Sequence, residues 1–268
     1  MKNLKLVLAL GIMVGTSVSL VKAFEQNIKA TEKRELSTHE IQQLVIEAGA
    51  GSLRVEGKKG IKQIYLSADI NVESGNYELS LEREGEVARI IANPNLKNKN
   101  YWGVDSPYIH VTVQVPAYLN VKISDGSGDI AISNIAGALE LYDGSGDIQG
   151  ADLSGSVVIK DGSGEIRLKS VGELNINDGS GEMDIVQVNG SVNIIDGSGS
   201  LQLIDVNGDV KLNDGSGEII VKNINGHVTI KDGSGGIEVK SVEKGLTILD
   251  AGSGGLSIKD VKGDIETR

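Results

Sequence analysis

From residue 125 onward, apolar and polar positions alternate in short runs that restart about every 18 residues. If the Asp of each Asp-Gly-Ser-Gly tetrapeptide is position zero, offsets 5, 7, 10, 14 and 16 are apolar almost throughout. The fourth repeat shows this with Met183, Ile185, Val188, Val192 and Ile194, and the sixth with Ile219, Val221, Ile224, Val228 and Ile230. Alternation of period two is the spacing of a strand with one buried face. Each repeat therefore reads as two turn-plus-strand halves. In the first, Asp125–Gly128 is a turn, Asp129–Ser133 a strand, Asn134–Gly137 a second turn and Ala138–Tyr142 a second strand.

The tetrapeptide begins at Asp125, Asp143, Asp161, Asp178, Asp196, Asp214 and Asp232, and an eighth copy at Asp250 reads as carrying an inserted Ala251. The steps are 18 residues, with a single step of 17 between Asp161 and Asp178. One such unit cannot bury its own apolar face, so neighbours must stack. The prediction is an all-β chain: a parallel β-solenoid, or β-helix, with two strands and about 18 residues per turn over residues 124–268. Gly128, Gly137 and their counterparts are expected where turns need φ > 0. Gly150, at an inward offset, predicts a local narrowing. In the last rung Thr267 takes an apolar place, and the charges of Asp264-Ile-Glu-Thr-Arg268 guard a strand edge.

Residues 24–123 lack this period. Strand-like runs stand at Leu44–Glu47, Gln63–Val72, Tyr77–Glu82, Val87–Ala92 and Tyr108–Val115. Ala48-Gly-Ala-Gly-Ser-Leu-Arg-Val55 is a worn copy of the glycine-rich turn and strand at Asp125–Ile132. The segment reads as an irregular, β-rich start or cap of the same solenoid.

The first residues change the picture of where the chain works. Lys2 and Lys5 precede an apolar run, Leu6–Val21, and Val21-Lys22-Ala23 places small residues where a signal peptidase reads. Residues 1–23 are expected to be a secretory signal, with a mature chain from Phe24 exported to the periplasm or cell surface. The run falls short of the roughly 20 residues that span a bilayer, and no later stretch approaches that length, so no transmembrane segment is expected after cleavage.

The chain has no cysteine, which excludes disulfides, thiolate zinc sites and a lipidated N-terminal Cys. The formal charge of −11 becomes −14 once the three lysines of the signal are removed. That balance disfavours nucleic acid and anionic membranes, and suits cations or basic partners. One Phe, one Trp and six Tyr against 36 Gly imply a thin aliphatic core.

Ile109-His-Val-Thr-Val-Gln-Val-Pro116, Leu119-Asn-Val-Lys-Ile123 and the following Gly-Ser-Gly-Asp-Ile130 resemble the entry of the bacterial DUF4097 β-strand repeat proteins, over about residues 40–268. Members often carry the label adhesin. The resemblance implies an exported or envelope-associated β-solenoid, without catalytic residues to carry over.

Chemistry has few places to reside. The Asp column at residues 125, 143, 161, 178, 196, 214, 232 and 250 reads first as turn caps, each carboxylate accepting from a backbone N–H two residues on. A second acidic column at Asp129, Asp147, Glu165, Glu182 and Glu218 makes calcium the alternative. The sixth place of the calcium-binding nonapeptide is apolar here (Ile130, Ile166, Ile219), so no cofactor is the favoured expectation. His39, His110 and His227 are far apart, and no nucleophile elbow, phosphate loop or His-Glu-x-x-His helix is present. The one long irregular stretch, Asn93–Gly103, offers Lys97, Lys99, Tyr101 and Trp102 as a partner-binding anchor, with Trp102 as an end cap the competing role. The expected function is a non-enzymatic binding or structural module meeting an envelope protein or polysaccharide. A polysaccharide-active β-helix enzyme and a calcium-binding solenoid are the alternatives.

Overall fold

The computed structural model describes residues 27–73, 77–94 and 106–268. It places 24 strands in two 12-stranded sheets, here called A and B. The expected signal and the Asn93–Gly103 anchor residues Lys97, Lys99, Tyr101 and Trp102 lie outside the described residues.

The repeats stack as their pattern requires. Strands β9 (Ile130–Ser133) to β24 (Ile265–Thr267) alternate between sheets, odd ones in A and even ones in B, and every successive pair within a sheet is parallel. Like sits on like: Ile148 pairs with Ile130 and Ile166, and Ile176 with Ile159 and Ile194. Inward columns are 0–3% exposed through the internal rungs. Burying one such Ile, Leu or Val stabilises by about 1.5–3 kcal/mol, so the thin core is held by many equal steps. The short repeat does not disturb this. Leu153 pairs with Val171 and Val157 with Leu174, which confines the missing residue to the corner between them.

The N-terminal region continues both sheets and then changes direction. Its strands are β1 (Asn27–Ser37), β2 (Gln43–Ala50), β3 (Leu53–Lys58), β4 (Gln63–Glu73), β5 (Glu78–Glu84), β6 (Val87–Asn93), β7 (Tyr108–Pro116) and β8 (Asn120–Ser127). The worn copy forms a true rung: β2 pairs with β8 so that Ala48 meets Asp125, and β3 pairs with β9 so that Leu53 meets Ile130. Beyond it, β4 lies antiparallel between β1 and β7, while β5 closes sheet B antiparallel to β6.

The two corners of each rung differ, which corrects one expectation. Gly128 and its counterparts do have positive φ, from 130° to 159° across Gly128, Gly146, Gly164, Gly181, Gly199, Gly217 and Gly235. At the other corner the left-handed residue is not Gly137 but Asn134 (φ 59°), followed by Asp152, Ser170, Gln187, Asp205, Asn223, Ser241 and Asp260. Short polar side chains dominate there, and Asn and Asp tolerate this conformation by bonding locally. Gly137 is needed for closeness instead: a Cβ would sit 2.3 Å from the Leu119 carbonyl oxygen. At Gly150 the missing side chain leaves no void, because methyls of Leu168 and Leu153 fill the place a Cβ would take.

Candidate functional site

The Asp column is built by the turn itself. Asp161, Asp178, Asp196, Asp214 and Asp232 each end a sheet B strand at an inward-facing place, and Asp125 and Asp143 hold the same place in the first two repeats, so seven carboxylates stack inside one corner. They are 8% exposed at Asp125 and 0% at Asp232. Asp161, Asp178, Asp196, Asp214 and Asp232 are direct register partners. The cap is real in several rungs: the N–H of Ser145, Ser198, Ser216 and Ser234 donates to Asp143, Asp196, Asp214 and Asp232 at 3.0–3.3 Å. Oδ2 of those four, and both oxygens of Asp125, Asp161 and Asp178, complete no hydrogen bond among the described residues, although turn N–H groups lie close enough to favour the charged form weakly.

Buried acids without partners resist ionisation. Loss of water is the main cause, and the neighbouring Asp carboxylates add to it. Together they raise Asp125 to about 7, and Asp161 and Asp196 to about 6. Asp143, Asp178, Asp214 and Asp232 are raised as well, again by burial first, with backbone N–H groups opposing the shift.

Asp250 does not belong to this column. A register shift after Ile230 pairs Lys231 with Asp250 and Asp232 with Ala251. The extra residue is thus Leu249, extruded and 40% exposed, rather than Ala251. Asp250 turns outward, still capping the Gly252 N–H at 3.0 Å. With Ala48 beneath Asp125, the ladder is closed at both ends by alanine.

The second acidic column points outward and does other work. Asp129 accepts from the Asp147 N–H and Asp147 from the Glu165 N–H, at 3.3 and 3.0 Å. The two columns therefore diverge, and among the described residues no three His, Cys, Asp or Glu come together as a metal group.

The outer face of sheet A carries a depression of about 490 Å³ that the repeat pattern did not reveal. Its floor is small: Ala131 and Ser133 of one rung, Ala151 of the next. Longer side chains rise on either side, with Arg54 paired above Ala131, and Arg167 and Lys169 below Gln149 and Ala151. Arg167 forms an ion pair with Glu165, whereas Arg54 has none among the described residues. The only sequence signal was the break in side-chain size at Ala131, Gly150 and Ala151.

The left-handed corner presents amides. Asn225 donates to Asn207 and Asn207 to Asn189, at 2.8 and 3.2 Å, and Asn223 donates to Asp205 at 2.9 Å. These groups satisfy one another along the stack.

The histidines stay apart. His39 is exposed beside Glu40, and His227 contacts Thr247 at 3.1 Å. His110 Nδ1 lies 2.9 Å from Ser52 Oγ but also accepts the Ser52 backbone N–H at 2.9 Å. A lone pair already holding a backbone donor is a poor general base, and Asp69, across the strand pair from His110, bonds Thr31 instead.

No family model matches the chain, and no curated protein matches it. Solved structures with similar topology include a "putative cell adhesion protein" from Clostridium sporogenes (12% identity, 87% of this chain and 99% of that one, TM-score 0.41). A "putative lipid binding protein" from Parabacteroides distasonis gives 18% identity, 88% and 96% coverage and a TM-score of 0.43. A "putative adhesin" from Bacteroides fragilis gives 12%, 89% and 97%, and 0.30.

Proposed function

We propose that the chain is an exported, non-enzymatic β-solenoid that serves as an adhesin-like binding or structural module of the bacterial envelope. The observation that carries this reading is the outer surface: a frame whose side chains repeat in columns about 4.8 Å apart, interrupted on sheet A by a depression lined by Arg54, Arg167 and Lys169 together with Asp184. Among the described residues of the repeats the corners are only a few residues long, without the long loops from which a catalytic cleft is usually built. Export is supported by the Lys2, Lys5 and Leu6–Ala23 pattern, and the acidic surface suits partners with basic patches elsewhere on the chain. On sheet A, Arg54 and Lys169 provide the opposite polarity, which fits an anionic group seated on the alanine floor.

Filling the floor tests the reading. The Ala131→Trp, Ala151→Trp double variant adds bulk only to outward positions, so its melting midpoint should stay within about 2 °C of wild type. Retention of immobilised envelope polysaccharide or membrane-protein fractions should fall at least about tenfold, as for loss of a central contact. Equal retention by both proteins would remove the depression as the site. If the wild type retains neither fraction, the binding role itself is lost.

A further inference from the structure

The corner where sheet A leads into sheet B carries two exposed columns of polar side chains. In each rung the left-handed residue and the residue two places on flank one buried side chain. Gln187 and Asn189 stand around Val188, Asp205 and Asn207 around Val206, and Asn223 and Asn225 around Ile224. The two columns bound a depression of about 490 Å³. Toward the N-terminus it runs on into a second, of about 620 Å³, lined in earlier rungs by Asn134, Ala136, Asp152 and Ser154. Ser170 and Asn189 line both, so the two make one groove along the solenoid axis. From Asn134 to Asn223 it is roughly 24 Å long, at about 4.8 Å per rung.

The backbone does not require the amides of the second column. The left-handed column has a conformational reason for its short polar residues, but Asn189, Asn207 and Asn225 are not at positive φ. Ala136, Ser154 and Gly172 hold the same place in earlier rungs, and the Ser154 N–H donates to the Ile135 carbonyl just as the Asn207 N–H donates to that of Val188. The corner closes without an amide there. Along the stack, the bonds from Asn225 to Asn207 and from Asn207 to Asn189 use one N–H of each donor and one lone pair of each acceptor. An amide has two of each. Asn207 therefore still offers an N–H and a lone pair across the groove. The chained amides are also fixed in one orientation before any ligand arrives.

We infer that this groove binds an uncharged polysaccharide chain laid along the solenoid axis. A hydroxyl both donates and accepts, so neighbouring hydroxyls of a sugar match the N–H and oxygen of one amide. A row of identical amides suits a ligand that is itself a repeat, and a pyranose chain repeats at nearly the step of the rungs. An extended polypeptide advances about 3.3 Å per residue, or about twice that on one face, and loses register within two rungs. Asp152 and Asp205 stand in the columns and repel a polyanion, while Lys58 and Lys59 lie only at the N-terminal end. No aromatic ring lines the groove, so each sugar is held by polar contacts alone and affinity builds with the number of units engaged. This site goes beyond the sheet A depression and does not depend on it.

Titrating the isotope-labelled mature chain with cellobiose, cellotetraose and cellohexaose, followed by nuclear magnetic resonance, tests the groove. The side-chain amide signals of Asn189, Asn207 and Asn225 should shift, and affinity should rise at least about tenfold from cellobiose to cellohexaose. Replacing all three asparagines by Ala gives the column the small residues it has in earlier rungs, and should weaken cellohexaose at least about tenfold. If loss of the ladder lowers the melting midpoint, Asn189→Trp reads the same contact, because it blocks the junction of the two depressions and keeps the bond from Asn225 to Asn207. The Ala131→Trp, Ala151→Trp variant should bind cellohexaose as the wild type does. A wild type that binds no cellohexaose, affinity independent of length, binding indifferent to both groove variants, or binding lost in the sheet A variant would each overturn the inference. The sheet A reading is decided separately, by retention of envelope fractions, so either site can fail alone.

Discussion

Acidifying the protein from pH 8 to pH 5.5 should raise its melting midpoint by about 5–10 °C, the reverse of ordinary acid destabilisation. The folded Asp column holds protons that the unfolded chain releases. Asp125 titrates at about 7, and Asp161 and Asp196 at about 6, against 3.8 for an unperturbed Asp. A raised acid pKa means more protons bound in the native state, so stability falls as pH rises through the folded values. Between pH 5.5 and 8 those three groups contribute on the order of 4 kcal/mol. The gain ends below about pH 4, where both states are protonated. Glu32 acts in the opposite sense, lowered by Arg34 and Tyr77, and its contribution fades only as acidity approaches that limit.

Asparagine separates the column from general charge repulsion, which acidification also relieves. Replacing Asp161, Asp178 and Asp196 by Asn should raise the midpoint at pH 8 by a few degrees and flatten the pH profile. Asn keeps an acceptor for the Ser198 N–H, and its amide can donate to the next rung, as Asn225 does to Asn207 and Asn207 to Asn189 on the outer corner. Differential scanning calorimetry across pH reads both effects. A wild-type midpoint that is flat or falls on acidification would refute the ladder's protonation. Millimolar calcium should leave the midpoint unchanged. A calcium-dependent rise that the Asn variant loses would make the column a metal site.

The repeat was legible because its signal is redundant: the same five inward offsets recur in rung after rung, and stacking them in register is the one arrangement that buries them all. The worn copy at Ala48–Val55 was legible for the same reason. β1 was missed because an edge strand shows no alternation. Its Lys29, Glu32, Lys33 and Arg34 fall on both faces, and only Ile28 and Leu36 touch the core. The orientation of the Asp column was misleading for a subtler reason. An Asp that opens a turn is normally solvated, and nothing local in Asp-Gly-Ser-Gly says that the preceding strand aims it inward. Counting by two from Ile159 to Asp161, or from Ile176 to Asp178, does say so. The same count from Ile248 fails at Asp250, because Leu249 shifts the register, and it lands Ala251 in the column. The sheet A depression needs three rungs side by side, which no linear reading supplies.

The largest mutational effect should come from a methyl group. Gly235 and Gly236 are adjacent, yet their surroundings are opposite. A Cβ on Gly235 would lie 1.6 Å from the Gly217 carbonyl oxygen, at φ 148°. That oxygen belongs to the stacked backbone of the previous rung, so no rotamer change can relieve the overlap. The rungs must part, and with them the bonds that join them there, such as that from the Gly217 N–H to the Ser234 carbonyl. A Cβ on Gly236 would find nothing nearer than the Gly255 oxygen at 4.0 Å. Other rungs place Asp129, Glu165 or Glu218 at that position. Gly235→Ala should therefore cost about 4 kcal/mol or more and lower the midpoint by about 10 °C, whereas Gly236→Ala should stabilise by about 0.4–1 kcal/mol through the unfolded chain. Because rungs couple mainly to their neighbours, hydrogen exchange in Gly235→Ala should quicken first from Gly217 toward the C-terminus, leaving β1 to β8 protected. If Gly235→Ala and Gly236→Ala melt alike, the close stacking of the turns does not hold this solenoid together.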